Sequence, residues 1–161
     1  MAATSKTITV PGVPVAQPRQ RFANIGGFVK NYTSARDPVN AFKAAVRIAW
    51  SNATNQAPLV GPVRLSIAFV LPRTQARPEK VPKDLWGEGR VVMPCRPDLD
   101  NLIKSVKDAL NGLAWHDDGQ VWRVTATKHY AAANEQPKAI ITVEPETCHA
   151  TEAQTPPASE E

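Results

Sequence analysis

The chain has 161 residues, enough for one ordinary domain, and 42% of them are apolar, which supports a packed core and excludes wholesale disorder. Residues 1–143 hold all nineteen basic side chains and ten of the fifteen acidic ones, a net charge of +9, while Glu144, Glu146, Glu152, Glu160 and Glu161 crowd the last eighteen positions. A positive field of that size on a small domain favours a polyanionic partner, nucleic acid first. No apolar run approaches the roughly 20 residues of a membrane span. Met1–Lys6 lacks the apolar stretch of a signal peptide. Cys95 and Cys148 suit neither a disulfide framework nor a zinc finger, so a reducing cytoplasm is the expected compartment.

Taken in chain order, Lys6–Val10 alternates Ile8 and Val10 with Thr7 and Thr9, a short strand closed by Pro11-Gly12. Val13–Lys30 reads as a Pro/Gly-punctuated arm carrying Arg19, Arg21 and Lys30 without an acid. Asp37-Pro38 marks a helix start, and Val39, Phe42, Val46, Ala49 and Trp50 recur at helical spacing to about Asn52, with Lys43 and Arg47 on the opposite face. Val63–Leu71 alternates as a strand. Pro72–Pro97 is a long loop with five prolines and six basic residues against three acids, a length that points to a functional segment. A second helix is predicted over Leu99–Leu113, with Leu99, Leu102, Ile103, Val106, Leu110 and Leu113 on one stripe and Asn111-Gly112 as its stop. Gln120–Tyr130, with Trp122, Val124 and Ala126 on one face, and Lys138–Val143 complete the strands. The fold class is mixed α/β (α+β): one domain over 1–145, a small mixed sheet with two main helices packed on it, and an acidic, disordered tail over 146–161.

The informative segment runs from Arg96 to Val121 and holds Asp98, Asp100, Asp108, Asp117 and Asp118. On a helix Asp98 and Asp100 would diverge by about 200°. Pro97 disfavours helix just before them, and residues i and i+2 of an extended stretch face the same way. The pair therefore converges if the chain stays extended through Asp98–Asp100 and the helix begins there. Two convergent carboxylates form half of a Mg²⁺ site. Lys104 follows Asp100 by four residues, which places an ammonium one turn beyond. Asp117 and Asp118 lie in the turn before the next strand, and reaching Asp98 from there takes a long tilt or a neighbouring strand end. Such a set supports phosphodiester hydrolysis.

Each part also has a plain structural reading. Asp98 or Asp100 can cap the helix, Lys104 can be solvated or pair with Asp100, and Asp117-Asp118-Gly119 is an ordinary turn sequence. Asp108, opposite the apolar stripe, reads as solvated. His116-Asp117 is similar to the metal-binding pair of phosphohydrolases, but only His129 and His149 remain to complete it. The Asp98-Leu99-Asp100 pattern also occurs in sugar-nucleotide transferases, but no Gly-rich loop accompanies it. Cys95 has no activating histidine nearby and reads as a bystander.

Together, Pro97-Asp98-Leu99-Asp100-Asn101-Leu102-Ile103-Lys104, Asp108-Ala109-Leu110-Asn111-Gly112, Trp115 and Asp117-Asp118-Gly119-Gln120-Val121 resemble the RusA family of Holliday junction resolvases, endodeoxyribonucleases of bacteria and their phages. Pro11-Gly12-Val13-Pro14 with Arg19 and Arg21, and Lys128, support it. The resemblance implies a homodimer, dependent on Mg²⁺ with Mn²⁺ as a substitute, that binds four-way DNA junctions in the cytoplasm and nicks two opposed strands. It makes Asp98, Asp100 and Asp118 the metal-binding carboxylates, Lys104 the catalytic lysine, and Arg19, Arg21, Arg96 and Lys128 DNA contacts. Pro97 stands where family members often carry a basic residue, which Arg96 precedes by one step. The alternative is a non-catalytic branched-DNA-binding protein on the same scaffold.

Overall fold

The structure, a computed structural model, describes residues 5–18, 21–25, 28–32, 37–73 and 89–146, with 21–32 given as strand backbone only. Strands β1 (Lys6–Pro11), β2 (Arg21–Ile25) and β3 (Phe28–Tyr32) precede helix α1 (Pro38–Ala53) and strand β4 (Val63–Leu71). Strand β5 (Val91–Val92), helix α2 (Leu99–Leu110) and strands β6 (Val121–Tyr130) and β7 (Lys138–Pro145) follow. Five strands form one sheet in the order β1-β7-β4-β6-β5, and β2-β3 form a separate hairpin. Among the described strands only β4 and β6 pair in parallel, so the chain between them crosses over through α2. This is the expected α+β domain.

The β4 alternation is real burial. Val63, Leu65, Ile67, Phe69 and Leu71 are all buried, in one core with Val46 and Trp50 of α1 and Leu102, Val106 and Leu110 of α2. Helix α1 starts as its sequence dictates: the Asp37 carboxylate accepts from the Val39 N–H at 3.0 Å, and Pro38 fills the first helical position. In α2, Ser105 is also fully buried and satisfies its hydroxyl on the Leu102 carbonyl at 2.8 Å.

Four expectations are corrected. The arm Val13–Lys30 is not free of strands, because β2 and β3 pair as a hairpin with Ile25 opposite Phe28. The Gly26-Gly27 dipeptide between them is the hairpin signal. Helix α2 ends at Leu110 rather than Leu113. Asn111 leaves helical geometry (φ −60°, ψ 131°) and Gly112 takes φ +73°, so the stop acts where it stands. Asp108 is half-buried and paired rather than free in solvent, and Lys43 and Arg47 do not face water alone. The two helices lie flank to flank, so Lys43 Nζ meets Asp108 Oδ2 at 2.8 Å and Arg47 donates to the Ala109 carbonyl at 3.2 Å. The long loop contains β5, which pairs with His129 and Tyr130 of β6. Residues 74–88 of that loop and the acidic tail from 147 onward lie outside the described residues.

Candidate functional site

The residues singled out in the sequence fall at the two ends of α2. At its start Asp98 is extended (φ −69°, ψ 137°) and the helix begins at Leu99. The extended stretch thus ends at Asp98, two residues before Asp100 in the first helical turn, so the expected extended run through Asp98–Asp100 is not met. Asp98 holds the capping position, yet its carboxylate accepts no hydrogen bond from the helix. Asp98, Asp100 and Lys104 are all exposed. Among the described residues none of the three enters an ion pair, so the Asp100–Lys104 surface pair does not form. The plain readings of cap and i,i+4 partner both fail at this turn.

Two contacts fix this turn from outside. The Lys128 ammonium, on β6, donates to the carbonyls of Cys95 and Pro97, the latter at 2.7 Å. Lysine carries three N–H bonds, so one is left over for another acceptor. From the other side the Gln17 N–H donates to the Asn101 carbonyl at 2.9 Å, which ties the N-terminal arm to the first turn of α2. Arg96 is exposed beside it, joined to Pro97 by a cis peptide. Arg19 lies outside the described residues, and Arg21 opens β2. Cys95 is buried with its Sγ 2.9 Å from the Tyr130 hydroxyl, which suits a structural residue.

The far end of α2 holds the second acidic group. The Asp117 carboxylate accepts from the Gly119 N–H at 2.7 Å and caps the short 3₁₀ turn Asp118–Gln120. A Cβ on Gly119 would sit 2.9 Å from Asp117 Oδ1, so a side chain there would displace the capping carboxylate. Gln120 staples the turn: its Oε1 accepts from the His116 and Asp117 N–H groups, and its Nε2 donates to the Leu59 and Gly61 carbonyls. Asp118 is half-buried beside this frame. Its Oδ1 accepts from the indole N–H of fully buried Trp115 at 3.0 Å, and its Oδ2 lies 4.0 Å from Lys107 Nζ. Lys107 carries no sequence signal, and Gln120 enters the sequence reading only as part of the Asp117–Val121 motif. The Gln120 signal was its place three residues after a capping Asp.

A model of the endodeoxyribonuclease RusA family matches residues 11–144. The chain belongs to the RusA endodeoxyribonuclease family. It is also 32% identical over 138 residues to the uncharacterized protein YqaN of Bacillus subtilis (strain 168), covering 84% of this chain and 92% of that protein. Among the described residues, no helix is long and apolar enough to cross a membrane.

Against the RusA resemblance, one residue stands apart. Asp98 and Asp100 share a turn, but Asp118 is bound at Lys107, nine residues and roughly 13 Å further along the helix axis from Asp98. Among the described residues no three His, Cys, Asp or Glu side chains come together to hold a metal ion. Among the described residues Asp118 is thus not grouped with Asp98 and Asp100. The same observation leaves the His116-Asp117 metal pair without partners.

A further ion-pair cluster lies at the base of the long loop. Arg90 donates two hydrogen bonds to Glu135, and Lys138 adds a third contact at 2.8 Å. These cations hold the Glu135 carboxyl far below the usual carboxylate range, and Glu135 in turn raises the Arg90 guanidinium. Arg73 bridges the loop ends by donating to the Ala131 and Gly89 carbonyls, at 2.6 and 2.7 Å. Two of the six basic residues of the 72–97 segment are thus engaged in holding it.

Proposed function

We propose that this RusA-family endodeoxyribonuclease resolves four-way DNA junctions by paired nicks, as a Mg²⁺-dependent homodimer acting in recombination and repair. The observation that carries the reading is the unengaged turn at the start of α2. Asp98, Asp100 and Lys104 stand exposed at this turn, and among the described residues none neutralises or caps them. Charges left open on a turn that is itself braced by Lys128 and Gln17 are suited to a ligand rather than to the fold. In this reading Lys104 directs its ammonium at the scissile phosphate, where charge grows in the transition state. Arg19, Arg21 and Arg96 supply phosphate contacts, and Asp98, Asp100 and Asp118 are the carboxylates that a divalent cation would need. A two-fold junction cut at two opposed strands is matched by two sites related by a two-fold axis.

The separation of Asp118 from Asp98 favours a second reading, a branched-DNA-binding protein that does not cut. A synthetic four-way junction separates the two. With Mg²⁺ or Mn²⁺ the nuclease gives paired nicks, and Asp98→Asn, Asp100→Asn and Asp118→Asn each abolish cutting while binding persists. Binding without cutting under all metal conditions establishes the second reading.

A further inference from the structure

Asp118 differs from Asp98 and Asp100 in having its carboxylate held from behind. The holder is Trp115, which is fully buried in the core. Its backbone is tied in place: the Gly112 N–H donates to the Trp115 carbonyl at 2.8 Å, and Leu59 lies alongside it as a parallel bridge partner. The Leu59 N–H adds a bond to the neighbouring Ala114 carbonyl, also at 2.8 Å. A buried indole N–H needs an acceptor. Here the acceptor is Asp118 Oδ1, at 3.0 Å.

The turn that carries Asp118 does not use this carboxylate. Asp117 caps the turn on the Gly119 N–H, and Gln120 Oε1 takes the His116 and Asp117 N–H groups. Gln120 Nε2 ties the same turn to the Leu59 and Gly61 carbonyls. The two partners of the Trp115–Asp118 bond also differ in freedom. The Asp118 side chain is 36% exposed and can rotate about its own bonds, whereas the enclosed ring cannot move without disturbing the core. The rigid member therefore sets the mobile one. With Oδ1 fixed, Oδ2 is the oxygen left to meet another group, and Lys107 Nζ stands 4.0 Å from it.

We infer that Trp115 is a positioning residue for strand cleavage: its indole N–H fixes the rotamer of Asp118 and so presents Oδ2 in one direction. The inference rests on the nuclease reading above, in which Asp118 takes part in the chemistry. A group held ready by a buried partner does not have to be ordered when the substrate arrives. A fully buried ring touches no DNA, so removing its N–H acts on the rate of cutting and not on junction affinity.

The test replaces Trp115 with benzothienylalanine, which keeps the bicyclic shape and lacks the N–H, beside the simpler Trp115→Phe. The isostere carries the decision because Phe also opens a cavity in the core. Junction affinity is measured by anisotropy, and single-turnover nicking of a four-way junction at saturating protein with Mg²⁺, at a temperature where circular dichroism shows the variant folded. Losing an outer contact of this kind typically costs about 10–100-fold, and that fall in rate is expected with junction affinity within about twofold of wild type. The Trp115 indole N–H signal in proton–nitrogen correlation spectra, assigned by its loss in Trp115→Phe, is a readout independent of cutting. Asp118→Ala should move it upfield as the charged acceptor is lost. Nicking by the isostere within about threefold of wild type overturns the inference and leaves the nuclease reading in place. A loss of junction affinity that matches the loss of rate, or an indole signal that Asp118→Ala does not move, overturns it in the same way. A wild type that binds the junction and never nicks it overturns both.

Discussion

Lys128→Met keeps an apolar stem of similar length and removes the ammonium that donates to the Cys95 and Pro97 carbonyls. Hydrogen bonds from a charged donor contribute about 1.5–3 kcal/mol each, and partial solvent exposure of the site reduces the pair to about 2–4 kcal/mol. In a domain of this size about 1 kcal/mol moves Tm by roughly 2–4 °C, so a fall of roughly 5–15 °C follows. The turn bearing Asp98 loses its brace at the same time, so single-turnover nicking of a four-way junction falls more than junction affinity does. A lysine whose main business is a DNA phosphate behaves differently. It leaves Tm in place, and its loss reduces the slope of log K against log salt by about 0.9. Thermal melts followed by circular dichroism, with anisotropy titrations at several salt concentrations, measure both quantities on one protein. A Tm within about 2 °C of wild type together with a salt slope shallower by about 1 refutes the bracing role.

Lys104→Ala should lower the single-turnover nicking rate by about 10²–10³ with junction affinity nearly kept, because its ammonium acts on transition-state charge; a rate within about threefold of wild type returns it to the solvated helix face. Glu135→Gln should change the acid limb of stability. The carboxyl is depressed in the fold by Arg90 and Lys138, so its stabilisation is complete above the ordinary value of 4.5 and is lost as pH falls below it. Wild type should therefore lose stability more steeply than Glu135→Gln from about pH 4.5 down to about pH 2, the two curves converging; parallel curves show that the pairing contributes nothing. Asp37→Ala should cost about 1 kcal/mol in urea unfolding through its lost cap, while Asp98→Ala should cost close to nothing. Equal costs at the two positions show that Asp98 does cap α2 in solution.

The elements that were legible in the sequence are those whose signal is local. β4 declares itself because every second side chain is buried, and α1 because Asp37-Pro38 both caps and opens it. The β2–β3 hairpin was hidden because its strands lack clean alternation, and only Gly26-Gly27 marks it. Asn111-Gly112 marks the stop of α2, but the apolar Leu113 extends the stripe three residues past the last helical one. Asp108 shows a further limit. A helical stripe tells which side of α2 is buried, but which helix lies along its flank depends on packing order, and that placed Lys43 against Asp108. The site divides in the same way. Asp98, Asp100 and Lys104 lie within seven residues, and their shared turn is readable. The place of Asp118 depends on the length of α2 and the run of β6 beside it, which no local pattern encodes.

Three aspartates stand just before a helical turn in this chain, and they behave differently. Asp37 and Asp117 both accept a backbone N–H from the turn that they open, at 3.0 and 2.7 Å. Asp98 has nearly the backbone of Asp37, φ −69° and ψ 137° against φ −65° and ψ 129°, and still makes no cap. The backbone there is fit for capping, so the missing bond reflects the direction of the side chain and not the geometry of the chain. A cap of this kind is worth about 0.5–2 kcal/mol, and α2 forgoes it. The turn is held from outside instead, since Lys128 donates to the Pro97 carbonyl just before it. The turn is thus kept rigid without using the carboxylate. A local rule broken at one position, with the brace placed on a neighbouring strand, is the pattern of a residue kept available for a ligand.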